Sequence, residues 1–152
     1  MTLPATTTRA HIFNLTTPHL QQGITSEERA RSELLTVLIK VYASGGENRT
    51  HAHVYEDHSF IVLEGEATFH FDGEDNTRVL KPYEGVMLPK GTYYRFESTG
   101  QGNLVMLRVG ASPPGSPKRA VYPEGGDKSR DQEPYARMER IEASGQRFGE
   151  VR

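Results

Sequence analysis

The chain has 152 residues, a net charge of −2 at pH 7 and no cysteine. This length suits one domain. The absence of cysteine excludes a disulfide framework, a thiol nucleophile and cysteine-ligated zinc. The near-neutral charge gives no reason to expect a nucleic-acid partner. No apolar run could cross a bilayer and the first ten residues lack a signal-peptide pattern, so we expect a cytoplasmic protein that acts on a small molecule or another protein, with no membrane partner.

Residues 1–32 are mixed in character and weakly patterned. In the segment TSEERARSE, which begins at Thr25, Ser and Thr precede Glu as in a helix-capping signal. A solvated, charged lead-in accounts for the same residues, and we favour it over a short helix. The zone is expected to lead into the next domain, or to form part of its edge or of a dimer interface.

Residues 33–110 form the body of the protein. The segment ELLTVLIKVY alternates in character and is rich in β-branched residues, which predicts a strand with two apolar faces. The second face carries Leu34, Leu38 and Tyr42 and predicts cover by another sheet or subunit. Further short strands follow, separated by Gly, Asp, Asn and Pro. This pattern predicts an all-β fold, an antiparallel sandwich or barrel.

Residues 111–152 change in composition. A Pro- and Ser-rich linker, ASPPGSPKR, precedes a highly charged C-terminal tail that is poor in apolar residues. Disorder is the favoured expectation for the tail, with a short helix in PYARMERIEAS as the alternative. The segment Arg147–Gly149 is a candidate for docking on the barrel or on a partner subunit.

Three of the six histidines, His51, His53 and His58, lie within eight consecutive positions. Residues i and i+2 of a strand share a face, so His51 and His53 project together, and a hairpin would bring His58 beside them. Three imidazoles at one point suit a first-row transition metal, at about 2.0–2.1 Å from each nitrogen. A single strand histidine is more often a satisfied or surface residue, and the prediction depends on all three meeting.

This stretch resembles the first motif of the cupin superfamily, G-x5-H-x-H-x(3,4)-E-x6-G. Gly45, His51, His53 and Gly65 match it, and His58 stands at the glutamate position. The segment YEGVMLPKGTYYRFES resembles the second motif through its Pro and the Gly two residues later. The resemblance implies a jelly-roll barrel, the antiparallel double-stranded β-helix of cupins, over residues 33–110.

The sequence departs from the resemblance at the fourth ligand, where Tyr94 replaces a histidine. The family usually holds its metal with three histidines and one glutamate. If Tyr94 bound the metal as phenolate, the ligands here would again be three neutral imidazoles and one anionic oxygen. The favoured alternative is a wall residue whose hydroxyl contacts substrate or water and serves as a catalytic acid or base.

Strand alternation also predicts the walls of a substrate pocket. Phe60, Val62 and Phe96 should share the inner face with His58 and Tyr94, which would make the pocket mostly apolar. Met106 and Arg108 are two residues apart on the last strand predicted in the body, so their side chains point to the same face. An inward Arg108 could meet an anionic substrate group, although a surface ion pair is the favoured role. Two acids beside His58, Glu56 and Asp57, are candidates to hold the second nitrogen of a ligand, and His70 is expected on the outer face.

The resemblance implies a metal-dependent enzyme acting on a small organic molecule. We favour a non-haem dioxygenase or oxygenase with one divalent transition metal per chain, iron before manganese, zinc, nickel, cobalt or copper. The alternatives are a metal-dependent isomerase, a polyketide-cyclase-like protein, or a non-catalytic protein that binds a metal or small ligand. The resemblance also implies a homodimer.

Overall fold

The computed structural model describes residues 9–43, 49–71, 76–129, 132–133 and 138–150. The described part contains twelve strands and no α-helix, so none that could span a membrane occurs there. The strands are β1 Thr17–Gln22, β2 Ile24–Arg31, β3 Leu35–Tyr42, β4 Ala52–His53, β5 Asp57–Glu64, β6 Ala67–Phe71, β7 Asn76–Leu80, β8 Gly85–Leu88, β9 Tyr94–Ser98, β10 Leu104–Ala111, β11 Ala120–Val121 and β12 Ile141–Phe148.

Two antiparallel sheets face each other across the main core. One has the order β2-β3-β10-β5-β8 and the other β7-β6-β9. Large side chains from both sheets fill the space between them, among them Tyr42, Phe60, Phe69 and Phe96. The predicted all-β jelly-roll architecture is confirmed. Most of the turn predicted at 43–48, including Gly45, and the turn at 72–75 lie outside the described residues.

The charged N-terminal segment that follows Thr25 is a strand, neither a helix nor an irregular lead-in. Strand β2 pairs with β3 in antiparallel register, with Thr25 opposite Val41 and Glu27 opposite Ile39. The backbone groups along this edge of β3 need hydrogen-bond partners, and β2 supplies them. Its charges are accommodated by local ion pairs such as Arg31 with Glu28 at 2.6 Å.

The C-terminal tail adds a strand and docks on the barrel. Strand β12 pairs with β1, and Phe148 packs against a second core cluster that contains Ile39, Val41 and Val105. The expectation of disorder is therefore wrong for residues 141–148, and so is a helix at 141–144. Residues 134–137 of that predicted helix lie outside the described part.

Each face of β3 is covered by a different layer. Ile39 and Val41 have no exposed surface because β1 and β12 lie over them, while Tyr42 points into the main core. Burial of Tyr42 by a facing sheet agrees with the cover predicted for that face, whereas Leu34 remains 55% exposed. The homodimer stays a prediction.

Candidate metal centre

Short segments on three strands place the predicted histidines. His51 forms an isolated antiparallel bridge with Tyr94, in which each backbone nitrogen donates to the other's carbonyl oxygen at 3.0 Å. His53 lies in β4, and a turn at 54–56 leads to His58 at the start of β5. The hairpin thus returns His58 to the first two histidines, and the bridge fixes Tyr94 beside them.

The four rings of His51, His53, His58 and Tyr94 converge in the barrel. The centroids of His53 and His58 are 4.6 Å apart, those of His51 and His53 5.2 Å, and those of His51 and Tyr94 4.7 Å. His51, His58 and Tyr94 are almost completely buried. The structure therefore brings the rings of all four candidates near one another, but the candidate ligand atoms within 4.8 Å of one another include those of His53 and His58 and not that of His51.

The hydroxyl of Tyr94 lies between two of the imidazoles. It is 3.0 Å from Nε2 of His58 and 3.4 Å from Nε2 of His53. Ligand atoms that are about 2.1 Å from one metal ion are separated by about 3.0 Å in octahedral and about 3.4 Å in tetrahedral geometry. These separations fit adjacent metal ligands, and they equally fit hydrogen bonds from the phenol.

The ring nitrogens are in states that suit metal binding. Nδ1 of His51 donates to the carbonyl oxygen of Arg49 at 2.7 Å, which leaves Nε2 with its lone pair free. Nδ1 of His58 is buried without a hydrogen-bond partner. An unpartnered buried nitrogen is costly unless another group satisfies it. The donor set fits a transition metal.

A carboxylate also belongs to this cluster. The candidate ligand atoms of His53, Glu56 and His58 all lie within 4.8 Å of one another. Oε1 of Glu56 is 3.9 Å from Nδ1 of His58, too far for a hydrogen bond, and is ion-paired with the Arg108 guanidinium. Sequence reasoning considered Glu56 only as an acceptor behind a ligand. Its position in the short turn between His53 and His58 is the sequence feature that places its carboxylate beside both imidazoles.

Burial controls the protonation of the cluster. Desolvation lowers the pKa of His51 to about 4, that of His53 to about 3 and that of His58 to about 2, and the charge of Arg108 adds to the last two shifts. Burial also raises the pKa of the Tyr94 phenol. At neutral pH the site therefore presents three neutral imidazoles and a protonated phenol, so no proton must leave an imidazole before a metal binds.

Comparison with known proteins agrees with this geometry. The cupin domain family matches residues 38–110, which contain the whole cluster. Residues 38–110 are a cupin domain, a member of the cupin superfamily. It is 37% identical to the uncharacterized protein YdbB of Bacillus subtilis over 67 residues, which cover 44% of this chain. The chain spans 58% of the length of that curated relative.

Solved structures share the cupin fold at low identity. KdgF from a Halomonas species is 18% identical with a TM-score of 0.56, and the match covers 61% of this chain and 82% of that one. The cupin superfamily protein DSY2733 of Desulfitobacterium hafniense is 23% identical with a TM-score of 0.52, covering 64% and 83%. At these identities the likeness establishes the fold alone.

A cavity of about 540 Å³ opens onto the cluster of this cupin and is lined by His51, His53 and Tyr94. Phe60 and Phe96 also line it, as the strand pattern predicted, and so does Arg108. Val62 and Met106, which were expected in the same wall, lie in the main core with no exposed surface and are absent from the lining. The alternation of side chains along the strands correctly predicted that both residues face inward, but they lie deeper in the barrel than the cavity.

Arg108 is inward-facing and only 8% exposed, so its ion pair with the half-buried Glu56 is partly buried and not the surface pair favoured from the sequence. Its strand, β10, places it opposite Phe60 on β5 and Leu38 on β3. The pair satisfies both charges inside the cavity wall. Arg108 is therefore already partnered in this structure.

The segment predicted as a linker forms part of the site. Residues 112–120 line the cavity, and β11 pairs with the histidine strand β4, with Ala120 opposite His53. The backbone nitrogen of Val54 also donates to the carbonyl oxygen of Arg119 at 2.9 Å. Residues beyond the family match thus hold the strand that carries the candidate ligand His53.

The remaining histidines described by the structure lie elsewhere. His70 contacts Glu97 at 3.1 Å and Thr77 at 3.2 Å, outside the cluster as expected. His19, to which the sequence gave no role, is 2.6 Å from a carboxylate oxygen of Glu64. Their side chains contact residues outside the cluster and take no part in the group formed by His53, Glu56 and His58.

Proposed function

We propose that this cupin is an enzyme that binds one divalent transition metal through His51, His53 and His58 and oxygenates a small organic molecule. The observation that supports this most directly is the proximity of three neutral imidazoles, those of buried His51 and His58 and of half-buried His53, beside a cavity that His51 and His53 line. When bound, iron(II) would supply the capacity to activate dioxygen, and a His-only shell leaves coordination positions for substrate and oxygen.

The residues of the chain would position the substrate and control its protons. Three neutral imidazoles bring no negative charge, so the site favours an anionic or easily ionised oxygen of the substrate. The Tyr94 phenol, kept protonated by burial, can donate a hydrogen bond or a proton to that oxygen. The aromatic rings of Phe60 and Phe96 exclude water from one side of the cavity.

A second candidate function is a metal-dependent isomerase that consumes no oxygen. One observation favours it: the carboxylate of Glu56 and the hydroxyl of Tyr94 line the same cavity, and the two can act as a base and an acid. In the structure Glu56 is paired with Arg108, which restrains the carboxylate. The two functions differ in whether dioxygen is consumed.

Oxygen uptake tests the proposal. The protein would be loaded with iron(II) under anaerobic conditions and mixed with catechols, β-diketones and flavonols, with dioxygen and substrate followed together. We expect equimolar consumption, abolished in His53→Ala and His58→Ala and retained in His11→Ala, whose side chain is exposed.

Three other outcomes would change the assignment. Turnover without oxygen uptake would favour the isomerase. Retained metal with no turnover of any compound would favour a binding protein. Failure to retain any divalent metal would contradict both enzymatic functions.

A further inference from the structure

The cavity is positively charged although the chain is not. Among the described residues that line it there are six lysines or arginines and three glutamates, against a net charge of −2 for the whole chain. A concave wall of one sign concentrates ligands of the opposite sign. The cavity is therefore built for an anion, and the question is which side chain would hold it.

Most of these cations already have acidic partners. Arg31 pairs with Glu28, Arg108 with Glu56, Arg119 with Asp127 at 3.0 Å and Lys128 with Glu133 at 3.5 Å. Two remain, Lys40 and Lys118, for which no residue in the described part of the chain forms an ion pair or a side-chain hydrogen bond. Lys118 is exposed, whereas Lys40 is partly buried.

Lys40 points into the barrel from the middle of β3. It stands opposite Met106 on β10 and Ser26 on β2, on the same face of the strand as Tyr42. Its ammonium lies 5.6 Å from the centroid of the Tyr42 ring and 5.9 Å from that of Phe60. These contacts are at the outer limit of cation–π attraction, and they leave all three N–H donors of the ammonium free.

The Phe60 ring connects Lys40 to the metal centre. The His58 ring also contacts Phe60, with the two ring centroids 5.4 Å apart. Phe60 is therefore in contact with both the Lys40 ammonium and the imidazole cluster. A partly buried charge without a counter-ion costs free energy, and a ligand anion would remove that cost.

We propose that Lys40 binds the carboxylate or phosphate of a small organic anion, whose other end reaches the metal centre across the face of Phe60. The second contact rests on the proposed function, but the contact with Lys40 does not require a metal. Lys40 is thus the residue that selects charged substrates over neutral ones of the same shape.

The test uses the full chain stripped of metal and three probes: benzoate, phenyl phosphate and neutral benzyl alcohol. Calorimetric or NMR titration should show that at least one anion binds more tightly than benzyl alcohol. Lys40→Met should lower the affinity for that anion by about tenfold or more, which is the value of one charge-assisted hydrogen bond. The affinity for benzyl alcohol should stay unchanged. Lys40→Arg, which keeps the charge, should retain most of the binding.

Lys81→Met is the matched control, because Lys81 is an exposed lysine outside the cavity. Circular dichroism and urea unfolding of each variant establish that it is folded. Equal binding of anions by wild type and Lys40→Met would overturn the proposal, as would the absence of anion binding at millimolar concentration. A preference for benzoate or for phenyl phosphate identifies the anionic group.

The outcome is separable from that of the proposed function. If metal binding and oxygen uptake persist while Lys40→Met leaves the affinity for anions unchanged, only the role of Lys40 is refuted. If anions bind through Lys40 but the chain retains no metal, the proposed function fails and an anion-binding cavity remains.

Discussion

Gly110 leaves the space that the carboxylate of Glu56 occupies. A Cβ atom at residue 110 would lie 2.5 Å from Oε2 of Glu56 and 3.0 Å from Nη1 of Arg108. Gly110 also stands directly opposite His58 in the pairing of β10 with β5. The absence of a side chain at residue 110 therefore allows this partly buried ion pair to lie beside the candidate ligands.

Gly110→Ala should push the Glu56 carboxylate out of place and weaken its pair with Arg108. We expect a loss of about 1–3 kcal/mol in the free energy of unfolding, measured by urea denaturation, because Arg108 is left partly unpaired in a buried position. Truncating Glu56 relieves the clash, so the double variant Gly110→Ala with Glu56→Ala should cost less than the two single losses added. Strict additivity would show that the clash does not involve Glu56.

Loss of a metal ligand should abolish stabilisation by metal. Cobalt(II) or nickel(II) should raise the midpoint of thermal unfolding of the wild type, because a ligand that binds only the folded state stabilises it. In His53→Ala and His58→Ala the affinity should fall by more than the roughly 10–100-fold that loss of a supporting hydrogen bond costs. His11→Ala should behave as wild type. An unchanged shift in His58→Ala would remove that residue from the ligand set.

Tyr94 should remain a phenol both in the metal-free protein and with iron(III) bound. Burial raises its pKa, so its phenolate should be missing from a near-ultraviolet titration through about pH 10, where exposed tyrosines ionise. The iron(III) form should show no phenolate charge-transfer band, and Tyr94→Phe should leave its visible spectrum unchanged. A visible band that Tyr94→Phe eliminates would instead make Tyr94 a ligand.

The metal-free protein should become less stable as the pH falls. The folded-state pKa values of His51 and His58 lie below the unfolded value of about 6.5, so the unfolded chain takes up protons first. Stability is retained above pH 6.5 and lost below it, by up to about 1.4 kcal/mol per pH unit for each histidine. Urea midpoints measured from neutral pH down to about pH 4 would show this slope.

The same pH series on variants assigns the slope to the cluster. His58→Gln removes one titrating group and should flatten the dependence, whereas His70→Gln, on a side chain outside the cluster, should not. An identical slope in wild type and His58→Gln would mean that other groups cause the acid sensitivity.

The C-terminal strand should contribute to the stability of the barrel. Phe148→Ala removes a ring that packs on the cluster of Ile39, Val41 and Val105, and we expect a loss of about 1–2 kcal/mol for this half-buried side chain. Ile141→Ala, on the same strand but more exposed, should cost less. Chemical denaturation compares the two, and a Phe148→Ala variant as stable as wild type would mean that β12 adds little.

The sequence by itself determined the all-β class and the meeting of His51, His53 and His58. Both follow from local rules: alternation sets the face of each side chain, and a short turn returns the next strand to its neighbour. The same rules correctly turned Phe60 and Phe96 toward the cavity.

Only the tertiary structure decided how deep each side chain lies in the barrel and which distant residues pair with one another. Val62 and Met106 share the inner face with Phe60 but lie below the cavity, because periodicity specifies a face and not a distance from the opening. Glu56 meets Arg108 across 52 positions of sequence, a pairing that no local pattern encodes.

The charged segments 24–31 and 141–148 became strands for a related reason. Their own residues do not favour a strand, but the edge of β3 and the strand β1 offer backbone donors and acceptors that they satisfy. Strand propensity is a weak local preference, and backbone pairing with an otherwise unpaired strand edge outweighs it in these two segments.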